Sequence, residues 1–267
     1  MPKLPAPPLP AALKAPPPRP GDENGKATPL DHAAEAGITV VDWVDERTSL
    51  TGAARWLMFR KVPQGTNWFY TLGSATMFAF LSQAVTGVIL AMYYRPDPSG
   101  GAYESVRYVT NDVFLGQFVR GMHKWGSSVM VILVFLHMGR TFFFGAYKYP
   151  RELNWVIGVV LLILTMIMSF TGYLLPFDQR AYWATVVGVN INGTGPLIGP
   201  YLSDFLRGGS EFGATTLSRF YAIHMLLVPG AIIALIGAHL YLVTKLGTTA
   251  PPWQKAEAPD ELREELL

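Results

Sequence analysis

The chain contains no cysteine. Disulfides, Cys-ligated zinc, iron–sulfur clusters and thioether-attached haem are therefore excluded within it, and any metal chemistry falls to His or carboxylates. Charge is scarce as well: Asp, Glu, Lys and Arg make up 15% of the 267 residues against 50% hydrophobic ones, a balance foreign to soluble domains. Neither sign is in excess. With 21 Lys and Arg against 19 Asp and Glu the formal net charge is +2, so there is no basic field to attract nucleic acid and no such partner is expected.

The scarce charges are also unevenly spread. Residues 70–94, 153–177 and 220–244 contain no Asp, Glu, Lys or Arg. A helix needs about 20 apolar residues to cross a hydrocarbon layer of roughly 30 Å, so each block predicts a membrane span. A fourth span, about 119–147, has an uncharged centre between Lys124 and Arg140, whose long side chains can reach the headgroups. Lipid cannot satisfy free backbone groups, and the blocks are continuous rather than alternating, which predicts helices instead of barrel strands. The expected fold class is thus an all-α membrane protein, a bundle of four transmembrane helices over residues 65–247 with spans near 70–94, 119–147, 153–177 and 220–245.

Around this bundle the composition changes. Residues 1–38, rich in Pro and Ala, read as a disordered tail without a signal-peptide core. Residues 39–64 mix Trp, Val, Leu and Met with charges, as an interfacial amphipathic helix would. The connection between the third and fourth spans, with its Gly- and Pro-rich NINGTGPLIGP, predicts short surface helices, and 248–267 reads as a C-terminal tail. Four spans place both termini on one side. Lys and Arg number 14 on that side and 7 on the other, which predicts cytoplasmic termini. The expected location is a bacterial inner membrane.

Apart from His32, the histidines fall in two spans as two pairs: His123 and His137, fourteen apart, and His224 and His239, fifteen apart. At 1.5 Å and 100° per residue, the members of each pair lie about 21–23 Å apart along the helix and within roughly 40–60° of one flank. The second and fourth spans run in the same direction. His123 therefore lies level with His224 on the outer side and His137 with His239 on the inner side. Facing imidazoles can fill both axial positions of a haem iron, so the pattern predicts two bis-His b-type haems. A single intramembrane His more often serves as a hydrogen-bonded core residue or in a proton path, but four at matched depths favour ligation.

Glycine repeats the interval. Gly73 and Gly87 in the first span, and Gly158 and Gly172 in the third, are also fourteen apart, which would let a macrocycle edge approach the backbone. Arg120, Lys124, Arg219 and Arg140 stand beside the ligand positions as candidates to hold haem propionates, Arg by paired hydrogen bonds. Lys245 fits a snorkelling anchor equally well.

From about residue 66 to 252 the chain resembles cytochrome b6 and the N-terminal half of the cytochrome b of quinol-oxidising bc complexes. The resemblance is carried by NWFYTLG, SQAVTGV, YYRPDPSGGAYESVRYV, RGMHKW, YKYPRELNWVIGVVL, TGYLLPFDQRAYWA, LRGG and TLSRFYAIH. It implies that the two His pairs are the haem ligands. The protein would be one subunit, inactive alone, of a quinol:cytochrome c or plastocyanin-like-acceptor oxidoreductase that couples quinol oxidation to proton translocation. A subunit IV-like partner with the remaining cytochrome b helices, a Rieske iron–sulfur protein, a c-type cytochrome and a dimeric complex are implied partners. The Pro-Glu-Trp-Tyr motif of the quinol-oxidation site is absent, so this chain would supply one wall of the quinone pocket, through Tyr173, Pro176, Phe177, Tyr182 and Trp183. Thr71 stands where cytochrome b6 carries the Cys for a third, covalent haem, so no covalent haem is expected. Lys124 replaces an Arg of the family, which removes a bidentate propionate contact there. A di-haem anchor of another quinone-linked oxidoreductase, or a His-lined transporter, would use the same histidines without these loop motifs.

Overall fold

The computed structural model describes residues 65–253, together with Pro63 and five earlier residues, Gly37, Val40, Trp43, Asp45 and Glu46. The chain divides into two units, Met1–Val62 and Pro63–Leu267. The five described residues of the first unit are helical. The tail expected over 1–38, the interfacial helix over 39–64 and the end of the C-terminal tail otherwise lie outside the described residues.

In the second unit all regular structure among the described residues is helical. A 3-10 turn, Trp68–Thr71, is capped by the Asn67 side chain and opens α1 (Leu72–Ala91). There follow α2 (Gly101–Asn111), α3 (Gly116–Phe143), α4 (Glu152–Leu174), α5 (Gln179–Gly193), α6 (Gly199–Arg207) and α7 (Ala214–Ala222). A π-helical segment, Ile223–Leu227, joins α7 to α8 (Val228–Leu246). Four continuous runs, Trp68–Ala91, Gly116–Phe143, Glu152–Leu174 and Ala214–Leu246, are long and apolar enough to cross a membrane. Apolar side chains such as Phe78, Val85, Ile132, Ile163 and Ile233 point outward from them, as lipid requires.

The helix ends depart from the uncharged blocks for local reasons. After Phe143 the chain turns through Gly145 at φ 65°, so Tyr147 lies beyond α3, and Phe177 at φ 50° turns the chain away after α4. The last run begins at Ala214, before the charge-free block, because Arg219 sits inside the helix. The surface helices of the third connection are α5 and α6. Asp178 starts α5, its Oδ1 accepting the Ala181 N–H at 2.8 Å.

The sequence reading gave no helix for the first connection, yet α2 forms there. Its buried positions Ala102, Ser105 and Val109 share one side, while its average composition is too polar to stand out. Ahead of it, Asp97 Oδ1 accepts the Ser99 N–H at 2.9 Å, a bond that holds the carboxyl below the usual carboxylate range. At the α2–α3 corner Gly116 leaves room for the Val109 carbonyl, which any Cβ would strike.

α1 packs along α3, and α4 along α8. Between the two pairs lies an apolar layer of Ala79, Phe80, Met130, Val134, Val228 and Ile232. Phe80 and Met130 each lie seven residues from the two Gly or His positions flanking them on their helix. Two side-chain ties close the ends of the bundle. Tyr94 Oη donates to the Leu175 carbonyl at 2.6 Å, joining the exits of α1 and α4. Arg151, before α4, donates through Nη2 to Leu246 O at 3.0 Å and through Nε to Gly247 O at 3.2 Å, capping the last carbonyls of α8. Replacing Arg151 by Ala is expected to destabilise the bundle by about 1.5–3 kcal/mol, read as a lowered Tm in detergent, with Lys restoring part of the loss through one donor.

Candidate functional site

α3 carries His123 and His137, and the same-direction run Ala214–Leu246 carries His224 in its π segment and His239 in α8. His123 and His224 face each other with ring centres 6.4 Å apart and planes at 79°. At the other end His137 and His239 repeat the arrangement, again at 6.4 Å and 79°. Metal–imidazole bonds of about 2 Å, with a further 1.1 Å or so from each nitrogen to its ring centre, set ring centres about 6.3 Å apart across one metal ion. Both pairs therefore have a separation that would fit one metal ion held between two imidazoles. Among the described residues no group of three or more His, Cys, Asp or Glu could hold a metal, so each pair stands as a two-ligand set.

Unequal histidine spacing gives equal geometry because of the π segment. The Val228 N–H bonds back to Ile223 O, five residues away, and this wider turn lodges one residue more than an α turn. Fifteen residues from His224 to His239 thus cover the rise and angular phase that fourteen cover in α3.

Each of the four glycines lies against one of these imidazoles. A Cβ on Gly73 would stand 3.1 Å from Cε1 of His137, and one on Gly87 3.1 Å from Cε1 of His123. On Gly172 it would stand 2.5 Å from Cε1 of His224, and on Gly158 3.7 Å from Cε1 of His239. In this structure the open space at the four glycines is taken up by the imidazole rings, α1 facing those of α3 and α4 those of the Ala214–Leu246 run.

Hydrogen bonds fix the His123 and His224 rings further. His224 Nδ1 lies 3.0 Å from the Met168 carbonyl, which can only accept, so the proton is on Nδ1 and Nε2 keeps its lone pair. Thr171 Oγ1 is 3.3 Å from the same Nδ1, and Thr86 Oγ1 is 2.9 Å from His123 Nδ1. Both threonines precede a site glycine, at Thr86-Gly87 and Thr171-Gly172. Sequence reasoning passed over them; the repeated Thr-Gly pair was the available signal.

The flanking cations differ from one another. Arg140 lies with Cζ 3.8 Å over the Tyr70 ring and 5.2 Å from the Phe144 centroid, while its Nε and Nη2 are buried without a hydrogen-bond partner among the described residues. Buried, unpaired guanidinium nitrogens call for an anion, and a haem carboxylate meets that need. Arg219 instead donates to the Phe205 carbonyl and lies 5.1 Å from that ring, tying α7 to α6. Lys124 is exposed with Nζ 5.5 Å from the Trp125 ring, and Arg120 is half-buried. Lys245 Nζ donates to Tyr241 Oη at 3.2 Å.

Of the expected quinone-wall residues, Phe177 and Tyr182 meet edge to face at 5.9 Å, and Tyr182 contacts Trp183 at 5.1 Å and Phe212 at 6.2 Å. Pro176 is half-buried, whereas Tyr173 and Trp183 are exposed. Phe177, Tyr182, Trp183 and Phe212 thus form one aromatic cluster just beyond the end of α4 that carries Gly172.

Residues 57–247 match the family described as Cytochrome b/b6/petB. The chain is 44% identical over 218 residues to the menaquinol:cytochrome c reductase cytochrome b subunit of Geobacillus thermodenitrificans, covering 79% of this chain and 97% of that one. It is 43% identical over 213 residues to cytochrome b6 of Heliobacterium modesticaldum, covering 79% of this chain and 100% of that one. Among solved structures it is similar to a chain of a hyperthermophilic respiratory Complex III, with a TM-score of 0.73 and 29% identity. That match covers 85% of this chain, which spans 63% of the solved chain's length.

The glycine contacts generate a graded outcome. Gly172→Ala is expected to displace His224 and lower the haem content, whereas Gly158→Ala, with ordinary contact distance to His239, is expected to leave it unchanged. The haem-to-protein ratio of the purified complexes, from dithionite-reduced absorption, checks this.

Proposed function

The chain belongs to the cytochrome b/b6 family, and on that premise we propose that it is the haem b subunit of a quinol-oxidising cytochrome bc complex, holding two b-type haems. His123 and His224 hold one on the outer side, and His137 and His239 hold the other on the inner side. The observation that carries this reading is the duplicated imidazole pair, twice at 6.4 Å and 79°. When bound, the haems would supply a one-electron relay through the membrane, the two imidazoles of each pair holding the iron.

The chain's own residues do the holding and the insulating. Nδ1 of His224 keeps its proton against Met168 O, which leaves Nε2 free to ligate. Gly73, Gly87, Gly158 and Gly172 keep the four rings in place by leaving them room. The Phe80–Met130–Ile232 layer excludes water between the two levels. Arg140 offers Nε and Nη2 to an inner propionate. For Arg120, Lys124 and Arg219 the same role belongs to the outer end; Lys124 is limited to a single point charge, and Arg219 would use the nitrogens not given to Phe205.

Tyr173, Pro176, Phe177, Tyr182 and Trp183 form one apolar wall of a pocket in which a quinol is oxidised on the outer side. A quinone is reduced toward the inner side, and proton release and uptake on opposite faces build a proton-motive force. The subunit works with a partner carrying the remaining cytochrome b helices, a Rieske iron–sulfur protein and a c-type cytochrome, in a dimeric complex. It sits in a bacterial inner membrane with cytoplasmic termini.

The complex carrying His224→Leu is expected to retain one of two b haems, and His137→Leu the other, in reduced-minus-oxidised spectra. Two haems retained in both single variants would overturn the ligand pairing.

A further inference from the structure

Phe177 holds a backbone conformation that its side chain disfavours. Its φ of 50° lies in the left-handed region, where a Cβ crowds the following carbonyl. Strain of this kind persists only where the surroundings impose it. Here they do so through two bonds: the Phe177 N–H donates to the Leu174 carbonyl at 2.8 Å, and the Tyr94 hydroxyl donates to the Leu175 carbonyl at 2.6 Å. The second of these holds the peptide unit that joins Leu175 to Pro176, just ahead of the turn. The last carbonyls of a helix have no donor further along it, so Tyr94, at the exit of α1, supplies one to α4.

Tyr94 is itself a fixed donor. Its N–H bonds to Leu90 O at 3.1 Å, and the next N–H, that of Arg95, donates to Oγ of buried Ser105 in α2 at 3.2 Å. The Tyr94 ring lies 5.2 Å from that of Tyr221 in α7. Ring and backbone are thus held from α1, α2 and α7, with Oη aimed at the end of α4. Beyond the turn, Phe177 meets Tyr182 edge to face at 5.9 Å.

From this chain of contacts we propose that Tyr94 is a positioning residue for quinol binding, its hydroxyl setting the place of the Pro176–Phe177 wall. The inference rests on the quinone-wall reading above. An apolar pocket orients a flat ring by contact, so a displaced wall loosens the bound ring without removing any group that the reaction uses. The hydroxyl proton is committed to Leu175 O, and Tyr94 acts through geometry rather than as an acid or base.

Steady-state oxidation of 2,3-dimethyl-1,4-naphthoquinol by the purified complex, with cytochrome c as acceptor, tests the assignment. Tyr94→Phe keeps the ring against Tyr221 and removes only the hydroxyl. It is expected to raise KM for the quinol about fivefold, the scale of one neutral hydrogen bond, with kcat within about twofold of the parent and the haem content unchanged. Arg151→Ala loosens the opposite end of the bundle and is expected to lower Tm with the quinol KM in place. An equal rise in KM there would make the Tyr94 effect a general loosening and overturn the proposal. A double variant traces the path: Phe177→Gly adopts the same turn without strain and removes the aromatic wall, so adding Tyr94→Phe to it should raise KM little further. Rises that multiply in the double variant, an unchanged KM in Tyr94→Phe, or loss of haem from Tyr94→Phe would each overturn the proposal. A parent complex that oxidises no quinol removes the quinone reading itself, an outcome seen before any variant is made.

Discussion

The separation between facing imidazoles constrains everything else in this bundle. Two rings that share one metal must be held within a few tenths of an ångström, and apolar packing alone does not aim side chains so closely. The bundle achieves it by letting each ring touch a backbone with no Cβ and, at His123 and His224, by binding Nδ1 to groups that cannot turn away. α1 and α4 are therefore more than a lipid-facing jacket. Their glycines and threonines set where the rings of α3 and α8 point, and the apolar layer between the two levels keeps the pairs independent.

Much of this was legible in the sequence because the membrane imposes simple demands. Uncharged blocks of span length had to be helices, and the alternation of direction then put His123 level with His224 and His137 level with His239. What escaped notice lacks a compositional signature. α2 is short and polar on average, so its buried stripe of Ala102, Ser105 and Val109 disappears into the loop around it. The threonines are a subtler case. Thr is common in apolar helices, where it ordinarily bonds its own backbone, and Thr86 and Thr171 do that as well. Their second contact depends on where a neighbouring helix places a ring, which no single segment encodes.

The cations show the same limit. Arg120, Lys124, Arg140 and Arg219 look alike as charges beside ligands, yet the fold gives them unlike settings. Arg140 is stacked on Tyr70 with Nε and Nη2 buried and without a hydrogen-bond partner among the described residues, whereas Arg219 is engaged by the Phe205 carbonyl. Proximity in sequence proposes a role; the pairing of each nitrogen distinguishes one cation from the next. The ends of the bundle matter for similar reasons, since Arg151 and Tyr94 fasten elements far apart in the chain at the levels where the ring pairs begin.

The π segment Ile223–Leu227 has a consequence for how such a bundle tolerates insertions. What must be preserved between ligands is angular phase, not residue count. A widened turn beside His224 acts as a slip joint that takes up an extra residue at the mouth of the helix and leaves the stretch to His239 in step with α3. One residue added instead between 228 and 239 would swing the downstream imidazole by about 100°, out of line with its partner. Length variation in α8 is thus admissible at one end and ruinous in the middle.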